Sequence, residues 1–319
     1  MSMDLTGITN QNEYYTNHYF SSVFEENAAE TISKWRAEAK ESDELRTPWA
    51  KLREASKQYY PFHDRFIRSR FDIQTLQNIQ TLADSYMDAL GYPVASPENI
   101  QVDDTLTVPV YHEINKSNGA PLLWILLAAS SEQDAGILES NVFDVSGIQV
   151  GEPTSAVPKD ILTPVSNEEL ATRILFAMNE PPRFIIFIGM NQIALIDRNK
   201  WNEKRYLQFE LEDIFSRREE STLQAMAVLL HKESLCPNEG LALIDELDSN
   251  SQKHAAGVSQ DLKYALRESI ELLGNEVLHD MEYRQGIDLI AHPVDAGQLT
   301  IECLRYMYRM LFVLFIEAY

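Results

Sequence analysis

The chain has 319 residues, of which 45% are hydrophobic and 24% are charged. This composition is that of a globular protein long enough for two domains, and it excludes a disordered tail. The sequence contains 27 Lys and Arg against 49 Asp and Glu, which gives a formal net charge of −22 at pH 7. A surface for nucleic acid therefore has to be sought in a local basic segment, because the average charge would hide it.

The first residues show no charged segment followed by an apolar stretch, as a secretion signal would, and Cys236 and Cys303 are too few and too far apart for a disulfide framework. A reducing cytoplasm is the expected compartment. The most membrane-like segment, 304–319, is interrupted by Arg305 and Arg309, and its remainder is much shorter than the roughly 20 residues that span a bilayer. We expect no contact with a membrane.

Helices are predicted over residues 13–90, because apolar residues recur there at three- and four-residue spacing. Thr47 and Pro48 have the character of an N-cap and a first-turn proline. Gly91 is expected to end the last of these helices, and Pro93 follows just beyond it.

Residues 46–70 form the one basic segment, with seven Lys and Arg against two acids and several aromatic residues between them. Nucleic-acid surfaces use such a mixture, but a solvated helix face above core aromatics has the same pattern, and both interpretations stay open. The candidate DNA-contacting residues are Arg46, Lys51, Arg53, Lys57, Arg65, Arg68 and Arg70.

After Pro93 the spacing of apolar residues no longer fits a helix, and the sequence has the short β-branched or apolar runs that are typical of strands. "TLTVPVYHEI" and "PLLWILLAA", separated by the turn-rich "NKSNGA", are predicted to pair, with the second strand buried on both faces. Residues 130–165 form an acidic connection without a clear period. Ser166 and Glu169 then make a capping box for a helix. "RFIIFIG" and "QIALIDR" predict a hairpin, and "RYLQF" a further strand before a helix at 211–218.

All later signals are helical, at about 219–230, 240–248, 259–281 and from about 297 onward. The predicted fold class is therefore α+β, a mixed α/β arrangement with helical N- and C-terminal parts around a small mixed sheet. The expected organisation is a helical arm (1–71), an α/β domain (72–218) and a helical connector (219–319).

Six stretches carry a resemblance to a known family, and they occur in order nearly from end to end. They resemble the N-terminal third of large type IIG-like restriction-modification methylases, which are similar to the adenine methylases of phage-defence systems such as DISARM. The six are "NEYYTNHYFSSVF", "TPWAKLREASKQYY", "ALGYP" with "VPVYHEINKSNGAPLLWILLA", "PRFIIFIGMNQIALIDRNKWNEKRYLQFELEDIF", "LLHKESLCPNEGLALIDELDSNSQKHAAGVSQDLKYALRESIELLGNEVL" and "RMLFVLFIEAY".

The resemblance implies that the parent protein acts on double-stranded DNA with S-adenosylmethionine, in company with other defence-system subunits. It also implies that the chain stops before the methyltransferase domain. The residues agree with this, since an adenine methylase needs an Asn/Asp-Pro-Pro-aromatic loop for a flipped base. The nearest stretch, "NEPPRF", has Glu180 before the prolines and Arg183 after them, so it is predicted to be a helix-to-strand turn. No cofactor is expected in this chain.

The family also implies a Mg²⁺-dependent nuclease of the PD-(D/E)xK kind, which holds its metal between carboxylates on adjacent strands. The order of elements fits, but Leu126–Ala129 stand where the Glu-x-Lys of the second strand is required. If the nuclease is active, its residues are Asp103, Asp104, Glu113 and Lys116. Against this, the odd separation of Glu113 and Lys116 puts them on opposite faces of a strand. We expect a nuclease-like fold whose site is degenerate.

Histidines give no alternative site, because none of the seven shows a short ligand spacing, so each is expected to cap, pack or face solvent. Three function hypotheses remain. The chain is a non-catalytic scaffold and DNA-contacting module of a restriction-modification or phage-defence methylase, an active Mg²⁺-dependent nuclease, or an acidic DNA mimic or protein-docking subunit.

The final stretch, "LRYMYRMLFVLFIEAY", is apolar on every side of a helix. We therefore expect an interior cut at this point, with the missing methyltransferase domain as the natural neighbour. A chain without that domain is expected to self-associate through residues 304–319.

Overall fold

A computed structural model describes residues 3–41, 45–148 and 155–318. The protein is α+β, with 56% helix, 16% strand, a small mixed sheet and helical regions at both termini, so the predicted fold class is confirmed. Its contacts divide it into two compact units, Met1–Ser251 and Gln252–Tyr319.

Apart from β1, all strands lie between α4 and α8, and helices occupy both ends of the chain. The helices are α1 (Asn17–Ser22), α2 (Phe24–Glu41), α3 (Pro48–Arg68), α4 (Ile73–Ala89), α5 (Val145–Ile148), α6 (Asn167–Ala177), α7 (Arg198–Trp201), α8 (Leu211–Arg217), α9 (Glu220–Leu230), α10 (Lys232–Leu235), α11 (Leu243–His279) and α12 (Ala296–Ala318). The strands are β1 (Ile8–Gln11), β2 (Glu98–Asp103), β3 (Leu106–Val110), β4 (His112–Asn115), β5 (Pro121–Ala129), β6 (Asn141–Val142), β7 (Phe184–Ile188), β8 (Gln192–Asp197) and β9 (Tyr206–Glu210).

The main sheet has the order β1-β9-β8-β7-β5-β4, and β6 pairs with the end of β5. Strands β5 and β7 run parallel, with Leu123 opposite Phe184 and Leu127 opposite Ile188, while the other pairs are antiparallel. β2 and β3 form a separate hairpin. The predicted pairing of "TLTVPVYHEI" with "PLLWILLAA" is confirmed only for β4, because Leu106–Val110 forms a separate strand that pairs with β2. The predicted hairpin of β7 with β8 is confirmed.

Strand β5 is buried on both faces, as its continuous apolar run predicts. Leu123 and Leu127 enter the larger core, which the N-terminal helices cover, whereas Trp124 and Leu126 enter a second core that contains Ile174 of α6. Successive side chains of a strand point to opposite faces, so covering both faces requires apolar residues at every position.

Three helix ends have the predicted caps. The side chain of Thr47 accepts a hydrogen bond from the backbone N–H of Ala50, and that of Ser166 accepts one from the N–H of Glu169. Gly91 follows α4 with a φ of +74°, a conformation that favours glycine. A Cβ at Gly91 would also lie 2.8 Å from Nε2 of His231.

One predicted break is wrong. Helices were expected at 240–248 and 259–281, but α11 runs without interruption from Leu243 to His279 and continues into a π-helical segment, Asp280–Arg284. The residues that follow 248 are polar, and such side chains can compete with helical hydrogen bonds. Here Asn250 donates to Asn27, and Ser251 accepts from the backbone N–H of Thr16, so tertiary partners engage these side chains instead.

Two further regions differ from the sequence pattern. Residues 130–165 contain β6, α5 and a short 3₁₀ turn at Lys159–Ile161, while 149–154 of this connection lie outside the described residues. The N-terminal arm also supplies a strand, since β1 pairs with β9 at the edge of the main sheet. The division into three domains stays a prediction.

Candidate functional site

The predicted nuclease carboxylates begin on the β2–β3 hairpin. Asp103, at the end of β2, accepts a hydrogen bond from Nε of Arg173 at 3.0 Å and another from the backbone N–H of Thr105 at 2.8 Å. These bonds, that of Arg173 first, lower the pKa of Asp103 to about 2. Asp104 is exposed in the turn that follows. Asp103 is thus already held by a cation of α6.

Glu113 and Lys116 lie on β4 and in the loop after it. The Trp124 indole donates from Nε1 to Glu113 Oε1 at 2.7 Å, and Lys116 is exposed beyond the strand. Within residues 3–41, 45–148 and 155–318, no group of three His, Cys, Asp or Glu side chains is placed to hold a metal ion. The observed roles of Asp103 and Glu113 are bonds to Arg173 and Trp124.

The basic segment forms α3, and its rings belong to the core. Trp49 and Tyr59 are buried, and Tyr60, Phe62 and Phe66 pack against the same core while partly buried. The aromatic rings of this segment therefore lie beneath a solvated helix face as part of the core, as the second interpretation predicted. Buried rings are not available to stack on bases.

Most cations of this segment face carboxylates. Arg46 and Arg70 have no ion pair with a described residue. The observed ion pairs are Lys51–Asp88 at 3.2 Å, Arg53–Glu220 at 3.5 Å, Lys57–Glu54 at 2.6 Å, Arg65–Asp72 at 2.7 Å and Arg68–Asp64 at 3.7 Å. Apart from Arg65–Asp72, these pairs are exposed and contribute little to stability, so their cations can exchange a carboxylate for a phosphate at low cost.

Arg65 differs from its neighbours because its partner is structural. Both of its terminal nitrogens donate to Asp72, whose carboxylate also caps α4 by accepting from the N–H of Thr75. Burial opposes the charged form of Asp72, but the bonds from Arg65 and Thr75 outweigh it and lower its pKa. Arg65 therefore holds the α3–α4 corner.

Sequence reasoning missed the most buried ionic cluster of the described residues. Arg183, just before β7, donates to both oxygens of Asp245 on α11 and to Oδ2 of Asp197 at 3.1 Å. The Asp197 side chain is 3% exposed and also caps α7 through the N–H of Asn199. Burial lowers the pKa of Arg183, but its bonds to Asp245 and Asp197 outweigh that effect and raise it above its ordinary value.

Lys200 extends this cluster to the N-terminal segment. Its Nζ donates to Asp248 and to the backbone carbonyl of Tyr14, and it lies 4.2 Å from the centre of the Tyr14 ring. Burial raises the pKa of Tyr14 and Tyr15 well above the ordinary value, so both phenols stay protonated at neutral pH. The cluster connects α7, the start of β7, the first turns of α11 and the N-terminal segment. Its role is therefore to hold these elements together.

Unit Gln252–Tyr319 presents a different surface. In the described part of α12, eleven large apolar side chains are between 39% exposed (Leu311) and 70% exposed (Tyr308). Positions 310–316 are all apolar, and seven consecutive residues cover the whole circumference of a helix. The eleven are Ile301, Leu304, Tyr306, Tyr308, Met310, Leu311, Phe312, Val313, Leu314, Phe315 and Ile316.

Within this unit α12 meets α11 through small residues. A Cβ at Gly274 would lie 4.0 Å from both Cys303 Sγ and Leu299 Cδ2. A groove of about 640 Å³ follows this contact and is lined by apolar residues such as Leu266 and Ile270. In the part of the chain that the structure describes, no helix combines the length and apolar character needed to cross a bilayer.

Comparison with family models, curated proteins and solved structures finds no match to this chain.

Proposed function

We propose that this chain is a cytoplasmic, non-catalytic scaffold of a restriction-modification or phage-defence DNA methyltransferase, and that α12 docks the methyltransferase domain. The observation that carries the proposal is the exposed apolar surface of α12. Monomeric proteins rarely expose contiguous apolar patches above a few hundred Å², and larger ones mark sites of protein interaction.

The size of this surface fits a stable interface. Eleven side chains that are about half exposed present roughly 1,000 Å² of apolar area, and one partner in a standard protein interface contributes roughly 800 Å². A partner for such a surface has to present an apolar helix or sheet face. The resemblance of "RMLFVLFIEAY" and the stretches before it to the N-terminal third of type IIG-like methylases supports the methyltransferase domain as that partner.

The methyltransferase domain would supply S-adenosylmethionine binding and base chemistry, and the present chain would supply its support. Arg183 and Lys200 support this role, because they fix the first turns of α11 to the sheet through Asp245 and Asp248. Duplex DNA is a second contact of the assembly, along the exposed cations of segment 46–70. The carboxylates that face most of those cations favour weak binding to the phosphate backbone.

Docking is tested by co-expressing the chain with the type IIG-like methyltransferase domain of the same organism as a separate polypeptide. We expect the two to co-elute in gel filtration, and Leu311→Glu plus Leu314→Glu to abolish co-elution because two carboxylates would enter an apolar interface. A matched control, Ser259→Glu plus Gln260→Glu, adds the same charge at exposed polar positions of α11. Equal loss in both variants, or no co-elution of the unaltered chain, rejects the proposal.

DNA contact is tested by fluorescence anisotropy with duplex DNA over a range of salt concentrations. We expect weak binding whose logarithm falls linearly with the logarithm of the salt concentration. Arg46→Glu plus Arg70→Glu should reduce that slope by about one for each phosphate that the protein no longer neutralises. Arg267→Glu plus Arg284→Glu makes the same change in charge outside segment 46–70 and should leave the slope unaltered. Equal slopes in both variants would count against a DNA contact on segment 46–70.

A further inference from the structure

The groove between α11 and α12 is lined on its α11 side by two ridges. Side chains four residues apart form a ridge on the surface of a helix, and the ridges of one helix pack into the grooves between those of another. One ridge here is polar and the other is apolar. The polar ridge is Lys263, Arg267, Glu271 and Asn275, and the apolar ridge is Leu266, Ile270, Gly274 and Leu278. The space between the two ridges is suited to a further helix.

The groove has two walls over only part of its length. α12 approaches α11 at Gly274, where an added Cβ would lie 4.0 Å from Cys303 Sγ. Among the described residues of α12, those that line the groove are confined to 296–303, a rise of about 10 Å, whereas the lining of α11 extends over 263–278, a rise of about 22 Å. About half of the groove is therefore open on the side opposite α11.

The end of α12 has the length and the surface of an occupant for this groove. Residues 304–317 rise by about 20 Å, which is close to the length of the groove. Their large apolar side chains are 39% to 70% exposed, so the chain's own α11 does not cover them. Apolar positions 310–316 surround the helix, and a helix that lies in a groove needs apolar contacts on more than one side. A second copy of the chain can supply such a segment.

The order of charges on the two helices favours one direction. Lys263 precedes Glu271 by eight residues on α11, and Arg309 precedes Glu317 by eight residues on α12. All four side chains are exposed, and within the described residues the one ion pair that involves any of them is that of Glu271 with Arg267, at 3.0 Å. Antiparallel helices place Glu317 beside Lys263 and Arg309 beside Glu271, with about 12 Å between the two contacts. Parallel helices would place like charges together, which is unfavourable.

We propose that residues 304–317 of a second copy occupy the open half of the groove, antiparallel to α11, and that two copies exchange these segments reciprocally about a two-fold axis. The α12 surface of each copy, roughly 1,000 Å², exceeds the roughly 800 Å² that one partner contributes to a standard interface. The inference does not rest on the proposed function, because it concerns the chain alone. A methyltransferase domain docked on α12 would compete with the second copy for this segment.

The test exchanges charges without altering the net charge of the chain. One variant, Lys263→Glu plus Glu271→Lys, exchanges them on α11, and the other, Arg309→Glu plus Glu317→Lys, exchanges them on α12. Sedimentation equilibrium in low-salt buffer, where charge attraction is least screened, measures self-association. Each variant alone should raise the dissociation constant about tenfold or more, because four attractive contacts of the dimer become repulsive. Circular dichroism checks that both helices persist.

An equimolar mixture of the two variants tests whether the contact lies between copies. In a mixed dimer the altered α11 meets the altered α12 and the unaltered α11 meets the unaltered α12, so the mixture should associate like the unaltered chain. Lys253→Glu plus Glu276→Lys makes the same kind of exchange at exposed positions of α11 outside the groove and should have no effect. A mixture that associates no better than either variant, or variants that associate like the unaltered chain, overturns the proposal. A monomeric unaltered chain also overturns it and leaves a helix of another protein as the occupant.

Discussion

The exposed face of α12 predicts that the purified chain self-associates in solution. Fully burying a large apolar side chain is worth roughly 1.5–3 kcal/mol, so each half-exposed residue of α12 leaves about half of this unrealised. A two-fold interface that covers half of the eleven side chains on each protomer recovers roughly 8–16 kcal/mol. Lost rotational and translational freedom costs an estimated 4–15 kcal/mol. With the smallest of these costs roughly 4–12 kcal/mol remains, and because about 8 kcal/mol corresponds to a micromolar dissociation constant, we expect micromolar rather than nanomolar association.

The perturbation is Leu311→Glu plus Leu314→Glu, two positions that are 39% and 57% exposed. On two protomers this removes four apolar side chains from the interface, a loss of roughly 3–6 kcal/mol before any cost of burying the carboxylates. Such a loss weakens a dimer by about a hundredfold or more. Glu is a good helix former, so α12 itself should persist, which circular dichroism checks.

Sedimentation equilibrium over the micromolar range measures the effect. The unaltered chain should show a concentration-dependent mass that approaches a dimer, and the double variant should remain a monomer. Ser259→Glu plus Gln260→Glu, with the same added charge, should sediment like the unaltered chain. A monomeric unaltered chain, or coinciding curves for it and the Leu311 and Leu314 variant, would refute the reasoning about this surface.

Three further predictions concern unit Met1–Ser251 and are measured by urea unfolding. Gly91→Ala should lower the free energy of unfolding by about 1–3 kcal/mol, which is more than Gly240→Ala should lower it. Both glycines have a positive φ, but a Cβ added at Gly240 would have no atom within 4 Å, whereas one added at Gly91 would collide with His231. Equal losses would mean that the His231 contact is unimportant. Arg183→Met should lower the free energy of unfolding by about 3–5 kcal/mol because it leaves buried carboxylates unpaired, whereas Arg68→Met, at an exposed ion pair, should lower it by about 0.5 kcal/mol or less. Similar losses in the two variants would contradict the stabilising role of the buried ionic cluster. Burial lowers the pKa of His231 to about 4 in the folded chain, so as the pH falls the unfolded chain is protonated at this residue before the folded chain is. The free energy of unfolding should therefore decrease as the pH drops from about 6.5 to 4, by at most about 1.4 kcal/mol per pH unit. His231→Phe should flatten this segment of the pH profile, and an unaltered profile would exclude His231 as the cause.

The sheet was accessible from the sequence because each of its central strands carries a local signal. Continuous apolar runs at 121–129 and 184–188 require burial on both faces, and the turn after Ile188 leaves little choice of partner for β8. The caps at Thr47 and Ser166 are local as well, since the accepting side chain and the donating backbone N–H lie within three residues of each other. Such features depend on neighbours in sequence, which the sequence displays directly.

The ionic cluster had no comparable signal. Arg183 and Asp245 are 62 residues apart, and Lys200 and Asp248 are 48 apart, so nothing in their spacing relates them. The same limit applies to the wrong break in α11, because the backbone N–H of Thr16, from which Ser251 accepts a hydrogen bond, lies 235 residues away in sequence. Contacts that join distant segments can be read only once the fold has placed those segments together.

The cations of α3 show how this limit affects the interpretation of function. Residues 46–70 count as seven cations against two acids when only neighbours in sequence are considered. The fold brings Asp72, Asp88 and Glu220 against three of those cations from outside the segment. Carboxylates from distant parts of a chain with a net charge of −22 therefore neutralise much of the charge of this basic segment, which favours weak rather than strong attraction to a phosphate backbone.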